Sequence, residues 1–214
     1  MKLPPRLLIL LTLSALIGIT VVVVGITGLI TGPPQPDPVP TEEQTPRTDA
    51  PSSRRLGELP MTDDPERFAR GVAEVIFDWD TTRLTSPDQL IEHVMTVADP
   101  SGYEAPGLYQ DLQTYLPTLE QWRKLREYET RQQITNMQLT VPREWELVAA
   151  DTENEIAEGT TAITIDATRL REGVWHGEAA SSDSALTFTM FVACPPATEQ
   201  CALLRLSALG SALR

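Results

Sequence analysis

Residue types that often carry out catalysis are scarce in this chain. It has two histidines, His93 and His176, and two cysteines, Cys194 and Cys201. His93 lies in a candidate helix away from its apolar positions, and His176 lies near the end of a candidate strand, so we expect both to be structural. Because no pattern brings a serine or cysteine to either histidine, a hydrolytic triad is not expected. No phosphate-binding glycine loop, zinc spacing or nucleophile elbow occurs, and the sequence predicts no catalytic residue, metal or cofactor.

The two cysteines are close together, in the run CPPATEQC at positions 194–201. An even, closely spaced pair outside the cytoplasm favours a disulfide, here one that closes a hairpin. Two cysteines do not complete a four-ligand zinc site, and only the two histidines could add to them. We therefore expect a Cys194–Cys201 disulfide, with free thiols as the alternative.

Two carboxylates, Asp78 and Asp80, flank Trp79 at the end of a candidate helix. Paired carboxylates can act as a general acid and a general base. This pair has no accompanying motif, so we expect both side chains to face solvent and to have a structural role.

Three residues are candidate contacts for a partner protein. Arg169 and Arg171 alternate with Leu170, so they lie on one face of a strand and could present a basic strip to an acidic partner. The alternative is that both arginines pair with nearby carboxylates. Trp145, which follows Pro142, is the tryptophan that we most expect to be exposed.

These residues belong to a chain that begins with a long apolar run. Residues 7–30 contain 24 amino acids without a charge, and a helix of that length covers about 36 Å, enough to cross a bilayer. Lys2 and Arg6 precede the run, and no cation follows it before Arg47. This asymmetry predicts a cytoplasmic N-terminus and an extracytoplasmic remainder.

We therefore predict a cytoplasmic tail over residues 1–6 and a single transmembrane helix over residues 7–31. The rival interpretation is a cleaved signal peptide, but the run is longer than a usual signal core and no A-x-A-like site follows it. Small residues near one face of the span favour packing against another transmembrane helix, although glycine is common in spans generally. These small residues are Ser14, Gly18, Gly25 and Gly28.

The remainder divides into a linker over residues 32–61 and a domain over residues 62–214. The linker holds eight prolines and few bulky apolar residues, which is typical of an extended spacer. All 30 acidic residues follow the apolar run, and the chain has a formal charge of −13. Such a surface repels phosphates, so direct nucleic-acid binding is not expected.

The domain has helical patterns first and strand patterns afterwards, which predicts an α+β fold with helices on one face of an antiparallel sheet. Four helices are expected, with starts at Asp64-Pro65, at a capping box over residues 86–89, near Leu108 and at Thr118. Alternating or β-branched segments near residues 137–141, 161–170, 186–192 and 201–209 predict strands. Turns are expected at residues 158–159, 172–173 and 181–183.

Several short runs over residues 63–214 resemble proteins encoded in Gram-positive conjugative elements. The runs are Phe77-Asp-Trp-Asp-Thr81, Tyr115-Leu-Pro-Thr118, Thr130-Arg-Gln132, Val141-Pro-Arg-Glu-Trp145, the segment 168–175, the segment 188–194 and Leu203-Leu-Arg-Leu-Ser207. The overall architecture is similar to that of the bitopic assembly factors of type IV secretion and conjugation systems. That resemblance implies a nuclear-transport-factor-2-like cone for the domain. It also implies a non-enzymatic scaffold that nucleates a translocation channel, with other membrane components of the complex as its partners and a homo-oligomer as one possible state.

Two other functions stay open at this stage. An accessory protein of a lipid-import system would share the same architecture. A cone-fold small-molecule binder or isomerase-like enzyme would need a buried aspartate base and a tyrosine donor. The only candidates for those roles are Asp78, Asp111, Tyr109 and Tyr115, whose spacing matches no motif.

Overall fold

The described part of the chain covers residues 56–151, 153 and 156–213 of a computed structural model. The predicted cytoplasmic tail, the predicted transmembrane helix with its small residues, and most of the predicted linker lie outside these residues. Within the described ranges, no helix combines the length and the hydrophobicity that a bilayer crossing requires.

The domain is α+β, with four helices before the main strands, as the sequence pattern predicts. The first half contains α1 (Pro65–Phe77), β1 (Trp79–Asp80), α2 (Asp88–Met95), α3 (Ala105–Tyr115) and α4 (Leu119–Glu127). The second half contains β2 (Arg131–Thr140), α5 (Arg143–Ala150), β3 (Thr160–Trp175), β4 (Glu178–Ala193) and β5 (Ala202–Leu206). The strands form one antiparallel sheet in sequence order, curled into a half-barrel that is compatible with a cone.

Two helices begin where their capping residues predict. At α1, the Asp64 carboxylate accepts hydrogen bonds from the Glu66 and Arg67 amides at 2.9 and 3.1 Å. At α4, Thr118 and Gln121 bond each other's backbone amides at 3.3 and 2.8 Å, forming a complete capping box. These bonds satisfy amides that the first turn of a helix leaves without partners.

The capping box predicted for α2 forms only in part. The Gln89 side-chain oxygen accepts the bond that the box requires, from the Ser86 amide at 3.5 Å, and a shorter one from the Thr85 amide at 2.8 Å. The Ser86 hydroxyl, however, bonds the Asp88 side chain at 3.3 Å rather than a helix amide. The helix therefore begins at Asp88, with Pro87 as its N-cap and no side-chain hydrogen bond from the cap.

Strands β3 and β4 form a 16-residue hairpin, and two of the three predicted turns are wrong. Residues 172–173 and 181–183 lie inside the paired strands, because the register is unbroken from Thr160–Ala193 to Trp175–Glu178. The turn is instead at His176 and Gly177, both with positive φ (52° and 84°), as a two-residue hairpin turn requires. Gly173 serves close packing, since a Cβ there would lie 2.7 Å from the Tyr128 carbonyl oxygen.

Helix α5 is absent from the prediction. It lies between β2 and β3, and its side chains include no buried residue. Its N-cap is Pro142, whose side chain bonds no helix amide, so the segment has no capping signal of the kind that marks α1 and α4.

The core lies between the helices and the inner face of the hairpin. Phe188 on β4 packs against Phe77 and Tyr115, with ring centroids 5.2 and 5.5 Å away, and these two rings lie 5.9 Å apart. Trp79 and Trp122 pack beside each other at 5.1 Å. All five rings are buried, so they fill the space between helices and sheet.

Candidate functional site

The inner face of the β3–β4 hairpin changes character along its length. In the proximal half, residues 160–167 with 186–193, the inward positions of β4 are Leu186, Phe188, Met190 and Val192. In the distal half, residues 168–175 with 178–185, the inward positions of β4 are Ala180, Ser182 and Ser184. Because side chains alternate between faces, the positions of β3 that share this distal face are Arg169, Arg171, Gly173 and Trp175.

Small side chains leave the distal half open as a groove. Two neighbouring hollows of about 390 and 250 Å³ both have Leu125 and Arg171 in their linings. We call them together the distal groove. At one end its walls are apolar, and at the other it is closed by aromatic rings, since Tyr128 and Trp175 pack at 5.0 Å. Its other lining residues include Leu116, Pro117, Gln121, Lys124, Arg169, Val174 and Leu209.

Arg171 is held in one orientation at the centre of the groove. Its Nε donates to Gln132 Oε1 at 2.8 Å, and the Gln132 amide donates to the Phe77 carbonyl at 3.0 Å. Its guanidinium carbon lies 5.8 Å from the centre of a ring of Trp79, a cation–π distance. A charge fixed by these contacts loses little conformational entropy when it meets an anion.

Neither groove arginine pairs with a carboxylate within the described residues, so the expectation of local ion pairs is wrong there. The four ion pairs found in this part of the chain involve other residues. Arg169 Nε donates to the Ser184 hydroxyl at 3.2 Å. Burial, with a smaller contribution from the positive charge of Arg169, lowers the pKa of Arg171. The two cations therefore share one groove with neutral neighbours.

Acidic residues near the groove do not neutralise these arginines. Glu172 contributes to one lining, but it follows Arg171 in the strand and so its side chain belongs to the opposite face. At the rim, Lys124 forms an exposed ion pair with Glu127 at 2.8 Å. An exposed pair of this kind is worth little energetically.

Trp145, the third predicted partner contact, is half-buried rather than exposed. Its ring packs edge-on against Phe191 of β4, with centroids 5.7 Å apart. The apolar exposure on this side belongs to its neighbours, since Leu147 is 68 % and Val141 is 45 % exposed. Trp145 thus attaches α5 to the domain, and Leu147 presents the apolar surface.

The two carboxylates beside Trp79 have different surroundings. Asp78 is exposed as a residue, yet its Oδ1 accepts a 2.7 Å bond from the Ile134 amide. Desolvation raises the pKa of Asp78 to about 6, opposed by that hydrogen bond and assisted by Glu74. Asp80 bonds the Thr82 amide and hydroxyl, at 2.8 and 2.6 Å. Asp80 thus holds a local turn, whereas Asp78 joins the end of α1 to β2.

The residues required by an isomerase-like site are engaged separately. Asp111 accepts bonds from Arg205 Nε and the Leu206 amide at 2.7 and 3.0 Å. The Tyr115 hydroxyl donates to the Ser207 carbonyl at 2.6 Å, and burial raises the pKa of Tyr115. Tyr109 is 43 % exposed.

The histidines and cysteines have structural positions. His93 Nε2 lies 2.8 Å from the Gly57 carbonyl oxygen, so it holds the segment that precedes α1. Cys194 and Cys201 form a disulfide, with Cα atoms 4.0 Å apart, that closes the loop between β4 and β5. Within the residues that the structure describes, no group of three potential ligands could hold a metal ion.

The sequence pattern indicates the two arginines but not the groove that they line. The assignment of residues 181–183 to a turn hides the fact that Ser182 and Ser184 share a face with Arg169 and Arg171. The signal that could have revealed the groove is the alternation of small residues at positions 180, 182 and 184. Lys124 and Leu209 come from distant elements, and no local pattern connects them to the arginines.

Comparisons of this chain with protein-family models, with curated proteins and with solved structures gave no match.

Proposed function

We propose that this chain is a single-pass membrane protein whose extracytoplasmic domain is a non-enzymatic assembly component of a conjugative or type IV-like translocation channel. The charge-free run at residues 7–30 and the cations before it support the anchor and its orientation. The proline-rich linker supports a domain held away from the membrane. Other membrane components of the channel are the proposed partners.

The observation that carries this proposal is the contrast between a filled interior and large apolar side chains that are exposed on the surface. Phe77, Tyr115 and Phe188 pack against one another between the helices and the sheet, and all three are buried. Outside, Leu147 on α5 and Trp175 at the hairpin tip are 68 % and 52 % exposed. Exposed apolar and aromatic side chains are common features of protein contacts.

A genetic test asks whether transfer depends on this chain and on its anchor. Deletion of its gene from a donor strain should abolish conjugative DNA transfer. The full chain should restore transfer, and a chain lacking residues 7–31 should not, because anchoring raises the effective concentration of weak contacts. Normal transfer in the deletion strain would contradict the proposal, and lost lipid uptake in that strain would favour the lipid-import alternative.

A surface test uses two exposed side chains on different elements. Leu147→Glu should lower transfer at least tenfold without lowering the amount of protein, since it places a charge in the proposed contact. Tyr103→Ala is the matched control, because Tyr103 is 86 % exposed but lies in the loop before α3. Equal transfer by both variants would remove α5 from the proposed contact surface.

A further inference from the structure

The distal groove has no evident role in stabilising the fold. Its floor consists of small residues where the same strand, a few positions further on, carries Leu186 and Phe188. A hairpin packed only for stability would cover or shorten such a face. The face instead keeps two neighbouring hollows, with Arg171 in the lining of both and Arg169 in the lining of one.

The charge of the groove opposes the charge of the chain. The protein has 30 acidic and 17 basic residues, yet Arg169 and Arg171 have neutral partners in Ser184 and Gln132. Arg169 uses only its Nε within the described residues, which leaves the other N–H donors of its guanidinium for a ligand. Guanidinium groups bind carboxylates through two parallel hydrogen bonds.

The spacing of the two arginines matches an extended peptide. They occupy alternate positions of β3, so their attachment points are separated by about 6.6 Å. Carboxylates at alternate positions of an extended chain have the same separation. From Arg169 to Trp175 the groove covers about 20 Å, the length of roughly six extended residues.

The two ends of the groove define the rest of the ligand. Leu116, Pro117 and Leu209 form an apolar wall at one end, and Tyr128 with Trp175 forms an aromatic wall at the other. A small anion would use only the arginines and leave these walls uncovered. An extended segment with two acidic residues and an apolar residue at one end would cover the arginines and the aromatic wall.

We propose that the distal groove binds an extended segment of a partner protein with two acidic residues at alternate positions, followed by an apolar residue. This inference rests on the proposed assembly function, since it names the chemistry of a partner. The two arginines bind the two carboxylates, and the apolar residue packs against Trp175 and Tyr128.

A binding experiment tests the groove without reference to transfer. The full chain, purified in detergent, is titrated into an eight-residue peptide with a neutral fluorophore, two glutamates separated by one residue, and a leucine four positions after the second glutamate, the separation of Arg171 and Trp175. Fluorescence anisotropy should give a micromolar dissociation constant that rises with salt, because charge pairs are screened. A peptide with glutamines in place of the glutamates, and one with adjacent glutamates, should each bind at least tenfold more weakly.

Substitutions inside and outside the distal groove test whether the peptide binds there. Arg169→Gln should weaken binding at least tenfold, because charge-assisted bonds are among the stronger polar contacts. Arg123→Gln removes the same charge from an exposed position of α4 outside the groove lining, so it should bind like the parent chain. Ala180→Leu fills the floor without changing charge and should also weaken binding. Thermal unfolding of each variant checks that it is folded.

Three results would overturn the inference. They are equal binding of the glutamine peptide, an equal loss in Arg123→Gln, and displacement of the acidic peptide by sub-millimolar acetate or phosphate, which would indicate a small-anion site. Absence of binding below about 1 mM would also overturn it, since that affinity corresponds to only about 4 kcal/mol. A failure here, together with normal dependence of transfer on the chain, would leave the assembly function standing.

Discussion

The two halves of the β3–β4 hairpin share the same strands and the same inner face but have different surroundings. In the proximal half, Phe188 and Met190 are fully buried beneath the helices. In the distal half, Ser182 is exposed and Arg169 is half-exposed, with no carboxylate bound to Arg169 in the described part of the chain. One continuous pairing register runs through both halves.

The difference shows that backbone pairing and side-chain packing serve separate purposes in this hairpin. Pairing extends the strands beyond the region that the helices cover, at little cost, because every added residue keeps its backbone partner. Packing stops near Leu186, and beyond that point the same alternation presents charges. We therefore expect proximal substitutions to change stability and distal substitutions to change binding.

The largest effect should come from emptying the proximal core. Phe188→Ala should lower the free energy of unfolding by about 3–5 kcal/mol, because a fully buried aromatic side chain leaves a cavity. Chemical denaturation followed by tryptophan fluorescence measures this loss. The distal control Val174→Ala, at a position 37 % exposed, should change stability by less than about 0.5 kcal/mol. Similar losses of unfolding free energy in both variants would contradict the division of the hairpin into a half that stabilises the fold and a half that binds.

A smaller effect on stability is expected from Asp78, at the border of the two halves. Its carboxylate accepts a hydrogen bond from the amide of Ile134, and Ile134 of β2 pairs with Arg169 of β3. The pKa of Asp78 is raised from 3.8 to about 6 in the folded chain. The folded state therefore binds more protons than the unfolded state between those values, so this group lowers stability as pH rises through that window.

Asp78→Asn should remove this dependence. Its stability relative to the parent should rise between pH 4 and pH 6.5 by about 1 kcal/mol, a figure reduced for solvent exposure from the roughly 3 kcal/mol of a fully buried group. Unfolding at five pH values measures the difference. A relative stability that stays flat, or falls with pH, would show that the carboxylate is not desolvated.

A new charge in the distal half should separate binding from stability. Ser184→Glu places a carboxylate directly opposite Arg169, and we expect a gain of about 0.5 kcal/mol from this cross-strand pair. The same variant should lose affinity for the acidic peptide at least tenfold, because its own carboxylate occupies the arginine. Ala185→Glu, at the next residue and on the opposite face, should leave binding unchanged.

The smallest change in stability should come from Arg169→Gln. The substitution removes the positive charge of Arg169 and so relieves its repulsion with Arg171. We therefore expect the free energy of unfolding to rise by no more than about 0.5 kcal/mol. Arg205→Gln is the matched contrast, because Arg205 bonds Asp111 at 2.7 and 3.1 Å, and it should cost about 1 kcal/mol. If Arg169→Gln is the more damaging of the two, the distal arginines are structural.

Local sequence patterns predicted the helices and strands more accurately than the turns between them. The α1 start at Asp64, the α4 capping box at Thr118 and the alternation of residues 186–192 all depend on near neighbours, and the fold contains each of them. The turns at residues 172–173 and 181–183 are wrong, because glycine and serine also occur where strands need close packing or an open face. Gly173, against the Tyr128 carbonyl, is the clearest case.

The sequence by itself determined the caps of α1 and α4, the shared face of Arg169 and Arg171, and the cysteine pair, because each depends on residues within about a dozen positions. The order of these local patterns along the chain also determined the α+β class. Only the tertiary structure decided that the arginines have no carboxylate partner, that Asp78 reaches Ile134, and that α3, α4 and the hairpin leave a groove between them. These outcomes depend on which distant elements meet, and contacts between distant elements leave no periodic trace along a single chain.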